Sequence, residues 1–269
     1  MPAHPPEPTF QRDLFKGTAA DYDRYRLPYP AELGRWLAAE LSLDGSGGLL
    51  DLGSGTGHVA RALRPYFARV VAVEAETDMV DFGRTRSERE ADGIEWWLDR
   101  AEDVEFPDES FDVVAAGSAF HRFDRPAVAA KAARWLKPHG AVAILGWGGP
   151  WDGALRWQKT LVNVIDEWTH RTGAAARVPQ GWQRESYPDE MVLRDAGFAH
   201  FVEHRLQVTH TWTLDDIVGF LRSTSFASRL AMGDHAHAFE EAVRRALLDI
   251  DEGGTYEQNL DLGVSVARR

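Results

Sequence analysis

The chain has no cysteine. Disulfides, thiolate nucleophiles, cysteine-ligated zinc and iron–sulfur clusters are therefore excluded, and with them any radical chemistry that starts from such a cluster. Nor does it contain an apolar run near the roughly 20 residues that a membrane span needs. Its first stretch, "MPAHPPEPTF", has neither the basic start nor the apolar core of a signal sequence, so the expectation is a cytoplasmic protein with a loose, proline-stiffened head over residues 1–11. Positive charge is also scarce. Lysine and arginine number 30 against 42 aspartate and glutamate, a net charge of −12, and no segment gathers the basic residues into a stripe able to neutralise a phosphate backbone. Neither nucleic acid nor membrane is an expected partner. No metal site is expected either, because His235 and His237, the one His-x-His pair, are two apart on a predicted helix and face different ways.

What remains is a chain of 269 residues, 44% apolar, long enough for one elaborated domain over 12–269. Residues 31–41 show helical spacing and "DGSGG" ends it. Then strand, glycine turn and helix follow at "LLDL", "GSGTG" and "HVARALRPYF". The unit repeats: "RVVAVEA" as a strand, "ETDMVDFGRTRSERE" as a helix, "IEWWLDR" and "FDVVAAGSAF" as strands, "RPAVAAKAARWL" as a helix stopped by "KPHG", and "AVAILGW" as a fifth strand. Such alternation predicts an α/β fold, a doubly wound, mostly parallel sheet with helices on both faces. Beyond Trp147 the rhythm changes. One amphipathic helix is expected from Trp151 to Arg171, a shorter one at "PDEMVLRDAGF", a strand at "FVEHRLQVTHTW", helices near 214–231 and 235–250, and a last strand from about residue 255. Asp215 and Asp216 after Thr213 form a helix N-cap pattern.

The chemistry concentrates in "LLDLGSGTGHVARAL", where Gly53, Gly55 and Gly57 alternate directly after a strand that carries Asp51. Three such glycines carry an entropic cost with no packing return, so a backbone turn that approaches a ligand is implied. Gly55, Gly57 and Ala60 also fit the dinucleotide fingerprint, which leaves a nicotinamide-dependent oxidoreductase as an alternative. Asp51 argues against it, since an acid aimed into the turn repels a pyrophosphate and suits a ligand that is cationic or donates hydrogen bonds. A sulfonium-bearing amino acid with a free ammonium is such a ligand. Glu74, closing the second strand, is placed to accept both hydroxyls of a ribose.

Together "DLGSGTG", "VVAVEAETDMV", "AEDVEFPDESFDVVAAGSAFHRFD" and "WLKPHGAVAI" resemble successive motifs of the class I S-adenosylmethionine-dependent methyltransferases, in the small-molecule branch with an Ala-x-His-x-x-Asp phrase after the fourth strand. "DYDRYRLPYP" is similar to that branch too, so the resemblance covers roughly residues 12–147, the cofactor-binding core, and leaves 148–269 as acceptor-side helices and the last two strands. It implies a Rossmann-like sheet of seven strands, the last antiparallel. It also implies S-adenosyl-L-methionine as cofactor, with Asp51, Gly53, Gly55 and Gly57 at its methionine end, Glu74 on the ribose, and Ala75 with Met79 on the adenine. Asp99 or the Ala101 amide would meet the adenine amino group, Arg100 standing where a short polar residue is usual. Ser118 follows the fourth strand at the pocket edge, and Tyr22 and Arg26 would fold over the cofactor. Without cysteine, any methyl transfer here is polar.

His121 lies just past Ser118 and is the candidate for a base or for acceptor positioning, since an imidazole can take a proton at neutral pH. Six of the ten tryptophans, Trp147, Trp151, Trp157, Trp168, Trp182 and Trp212, fall between residues 145 and 215. Trp147, Trp151 and Trp182 are candidate walls for a small, largely apolar or aromatic acceptor, with "GWGGPWDG" expected as a mobile flap; the same indoles would equally serve to pack helices on the sheet. A protein that binds the cofactor without transferring methyl groups stays open at this level, and so does a homodimer.

Overall fold

The computed structural model describes residues 13–177 and 187–269. Two helices, α1 (Ala19–Tyr25) and α2 (Ala31–Leu41), precede the alternating part. That part runs β1 (Gly48–Leu52), α3 (His58–Leu63), β2 (Arg69–Glu74), α4 (Thr77–Glu90), β3 (Ile94–Leu98), β4 (Phe111–Gly117), α5 (Arg125–Trp135) and β5 (Leu136–Trp147). The C-terminal half adds α6 (Arg156–Thr172), α7 (Asp189–Asp195), β6 (His200–Thr213), α8 (Leu214–Arg222), α9 (Arg229–Met232), α10 (Ala236–Leu248) and β7 (Thr255–Arg268). All seven strands join one sheet in the order β3-β2-β1-β4-β5-β7-β6. Strands β1 to β5 are parallel, and β7 runs antiparallel to both β5 and β6.

Strand β1 is buried along its whole length because parallel neighbours flank it and helices cover both faces. Its side chains alternate: Leu49 joins α2 and α3 on one face, while Leu50 and Leu52 join α5 and α7 on the other. Asp51 shares the Leu49 face, directly under the start of α3. The other half of the sheet is an overhang. β7 pairs with β6 from Thr255 to Arg268 but with β5 only from Leu262, so the first half of β7 projects past the sheet. A separate apolar cluster forms on that projection, where α6, α8 and α10 close around Trp157, Trp168, Trp212, Phe220, Phe239 and Leu260.

Three local expectations are corrected. "KPHG" does not stop a helix before a strand; it lies within β5, where pairing passes from Phe111↔Leu136 to Val113↔Ala141 and the extra residues bulge out. Lys137 is held there by Asp112 at 2.8 Å. The helix expected from Trp151 begins at Arg156, because Asp152 ties the preceding loop by accepting the Gly149 amide at 2.6 Å. The helix expected over 214–231 breaks after Arg222, where the hydroxyls of Ser223 and Thr224 turn back to the carbonyls of Phe220 and Leu221 (2.6 and 2.7 Å) and Ser228 caps α9. The Thr213 cap is present, with Thr213 and Asp216 in a reciprocal capping box.

Candidate functional site

The turn after β1 can be made only with glycine. Gly53, Gly55 and Gly57 have φ of 62°, 55° and 91°, a left-handed backbone at all three. A Cβ at Gly53 would come within 2.7 Å of the Ala119 Cβ, and one at Gly57 within 2.9 Å of the Trp96 ring. The turn is backed rigidly: the Trp96 indole donates to Ser87 at 2.9 Å, and the Arg61 guanidinium donates to the Thr56 carbonyl and pairs with Asp92 at 3.3 Å.

Asp51 does not stand at the mouth of the turn, as its spacing implies, but beneath it, wholly buried. Oδ2 accepts the Ala60 amide at 3.0 Å, whereas Oδ1 is buried without a hydrogen-bond partner among the described residues, as is the Ser54 hydroxyl in the turn itself. Burial, reinforced by the nearby charge of Glu74, pushes the Asp51 carboxyl up to about 8. The Glu74 carboxylate is already engaged. It accepts from the amides of Gly55 (2.8 Å), Ala75 (2.8 Å) and Glu76 (3.0 Å), which ties the glycine turn to the end of β2 and offsets part of a burial that raises its pKa.

Over this floor runs the N-terminal segment. The Phe15 amide donates to Glu76 at 3.2 Å, the Gly17 amide to Asp78 at 2.7 Å, and Arg86 of α4 pairs with Asp23 of α1 at 2.5 Å. This strap lays Tyr22 on Gly55, where a Cβ would meet the ring at 3.2 Å. The Arg26 guanidinium stacks on Tyr22 at 4.8 Å and bonds Ser223 beyond α8. Tyr29 lies at the end of β4, its hydroxyl within 2.8 Å of where a Gly117 side chain would start, and burial drives its pKa far up. Ser118, next along, holds a left-handed φ of 51° without being glycine.

Of the residues expected from sequence, the structure gathers Tyr22, Arg26, Asp51, the three glycines, Glu74 and Ser118 around one turn. Met79 is buried, and Asp99 and Ala101 sit just past β3, the Asp99 amide donating to the Glu74 carbonyl at 3.0 Å. His121 occupies the short 3-10 turn (Phe120–Arg122) after β4. Trp147 faces Tyr29 at 6.4 Å, and Trp151 packs on Phe220 and Phe226 at 5.5 and 5.4 Å. Trp182 lies outside the described residues. The "GWGGPWDG" segment is anchored rather than free: the Gln258 amide donates to the carbonyls of Gly149 and Asp152 at 3.1 and 2.9 Å, and Gln158 donates to Asp152 as well. Sequence reasoning missed Tyr29, Phe15 and Arg122. The first was legible in "RLPYP" and the last in the phrase that supplied His121.

The strand order, with an antiparallel β7 inserted beside β5 and a glycine turn at the end of β1, defines a Rossmann-like fold of the methyltransferase type. The crystal structure of YcgJ from Bacillus subtilis superposes with a TM-score of 0.56 at 18% identity, over 89% of this chain and 99% of that one. Residues 50–144 match the family described as methyltransferase domain. The chain is 30% identical over 154 residues to the uncharacterized methyltransferase C25B8.09 of Schizosaccharomyces pombe, covering 57% of this chain and 59% of that protein. It is 24% identical over 239 residues to the methyltransferase-like C25B8.10 of the same yeast, 88% and 84% of the two chains. Residues 50–144 thus carry a methyltransferase domain, and S-adenosylmethionine is the cofactor that goes with it. The site fits such a group: a glycine cradle with an orphaned buried acid beneath it suits a ligand that brings hydrogen-bond donors.

Proposed function

We propose that this protein transfers the methyl group of S-adenosylmethionine to a small molecule of largely apolar or aromatic surface. The observation that carries the reading is the buried, unpartnered Oδ1 of Asp51 under the glycine turn, an acceptor whose cost a donor-bearing ligand removes. Bound there, the cofactor supplies an electrophilic methyl group; the rest is the work of the chain. Asp51, Ser54 and the turn at Gly53, Gly55 and Gly57 hold the amino-acid end. Glu74 keeps lone pairs free for the ribose beyond its three amide contacts, Ala75 and Met79 flank the adenine, and Asp99 or the Ala101 amide meets its edge. Tyr22 and Arg26 on the strap cover the site and exclude water, so the acceptor is aligned in a dry cleft. Ser118 and His121 stand at the strand end where the acceptor arrives, His121 as base or positioning group, with Trp147 and Trp151 as apolar walls.

Calorimetric titration of the purified protein with S-adenosylmethionine, S-adenosylhomocysteine and NADH, repeated on Asp51→Ala and Glu74→Ala, tests this. Binding of both adenosyl ligands, lost in both variants, is expected, followed by label transfer to members of an acceptor panel. Binding of NADH alone would overturn the reading.

A further inference from the structure

Most inward-turned arginines of this chain are matched with acids. Arg61 pairs with Asp92 (3.3 Å), Arg86 with Asp23 (2.5 Å), Arg125 with Asp189 (2.6 Å), Arg222 with Glu240, and Arg268 with Glu40 (2.9 Å). Two are not. Arg26, at the end of α1, and Arg122, in the turn after β4, form no ion pair among the described residues, in a protein that carries 42 carboxylates. Both reach the same short turn between α8 and α9. Arg26 donates from Nε to the Ser223 hydroxyl (2.8 Å) and from Nη2 to the Ser223 carbonyl (3.1 Å), while Arg122 donates from Nη2 to the Ser225 hydroxyl (3.3 Å). Neutral hydroxyls and a carbonyl orient the two forks and leave their charge uncancelled.

We propose that Arg122, with Arg26 beside it, forms a carboxylate subsite between the strap and the α8–α9 turn, so that the acceptor is an apolar molecule bearing a carboxylate. This rests on the methyl-transfer reading above and names the substrate class within it.

Burial lowers the pKa of both guanidiniums, and the charge of Arg26 lowers that of Arg122 further, so the pair sits together at an electrostatic cost. The acid closest in effect, Glu74, is turned onto three backbone amides and forms no ion pair with Arg122 among the described residues. An incoming anion removes the cost. Each fork retains unused N–H donors, and a planar carboxylate is the anion such a fork matches. The surroundings select its body: Arg122 lies over the Phe15 ring at 4.8 Å, and Arg26 between Tyr22 (4.8 Å) and Phe220 (4.4 Å). Rings favour a monoanion with an apolar scaffold over a heavily hydrated phosphate. Arg26 leans on the cofactor side through Tyr22, whereas Arg122 bridges from β4 to the cap, which is why the acceptor's carboxylate, rather than the cofactor's own, is assigned to Arg122.

The test uses the full chain saturated with S-adenosylhomocysteine and titrated calorimetrically with matched pairs: benzoate and benzamide, cinnamate and cinnamamide, 3-phenylpropanoate and its amide. The expected result is that at least one acid binds about tenfold or more tighter than its amide, a charged hydrogen bond's worth. That preference disappears in Arg122→Gln, persists in Arg122→Lys, and weakens about threefold in Ser225→Ala, while S-adenosylhomocysteine affinity stays within about twofold. Should Arg122→Gln not fold, the lysine and serine variants carry the comparison. Acids and amides that bind alike, or no acid that binds, would overturn the proposal. So would an Arg122→Lys or Ser225→Ala variant that loses S-adenosylhomocysteine, for then the carboxylate held is the cofactor's. Failure of the unsubstituted protein to bind S-adenosylhomocysteine would instead count against the methyltransferase function itself.

Discussion

The glycine-turn half of this protein and its cap half are held together by different means. In the first, backbone geometry sets the site: parallel strands converge on Gly53, Gly55 and Gly57, and the ligand floor is made of amides and two acids. In the second, indoles and amide side chains do the fastening. Trp212 is wholly buried, its Nε1 donates to Gln258 Oε1 at 2.8 Å, and Gln258 in turn fixes the loop at Gly149. Where a site is made of backbone, the residues it needs are close in sequence. Where a region is made of side-chain pairs, partners such as Trp212 and Gln258 are 46 positions apart.

If the halves are separately built, the largest effect comes from emptying the cap. Trp212→Ala should cost about 3–5 kcal/mol in urea unfolding and leave Gln258 Oε1 without its donor, yet leave S-adenosylhomocysteine affinity within about twofold. A tenfold loss of affinity would show that the cap and the glycine turn act as one unit.

A second experiment sharpens the contrast from the other side, through pH. Asp51 titrates near 8 in the folded protein and near 3.9 in the unfolded chain. Below about pH 4 both states hold the proton. Between about 4 and 8 only the folded state does, so stability falls as pH rises, by up to about 1.4 kcal/mol per unit, and levels off above 8. Glu74, also raised by burial, adds to the trend in the same direction, so the difference between the parent and Asp51→Asn is the quantity to read. The variant should flatten the melting temperature against pH in the ligand-free protein; equal slopes would mean that Asp51 does not hold its proton. The smallest effect belongs to the cap's edge. Thr213→Ala removes the reciprocal cap of α8 and should cost about 1 kcal/mol, with no change in cofactor affinity.

The same contrast explains what the sequence disclosed. Alternating strands and helices and the glycine turn were legible, because each follows from local periodicity or from a backbone angle only glycine tolerates, whereas the antiparallel last strand was implied by the resemblance alone. The strap's tyrosine and arginine were found by resemblance, but Phe15 and Arg122 were not, since their importance depends on a meeting of residues 15, 122 and 225 that no local pattern encodes. The loop after β5 was misjudged for a related reason. Its glycines imply freedom, and the glutamines that remove it come from α6 and β7. Glu74 was placed correctly in the fold, while its three amide partners emerge only once β2 and the turn are side by side.

The protonated side of Asp51 also changes what a calorimeter reports. A donor that closes on Oδ1 favours the carboxylate, so binding near neutral pH releases a proton to the solution. The measured heat then contains the ionisation enthalpy of whichever buffer takes that proton up, and the site acts as an exchanger of a hydrogen ion for a ligand.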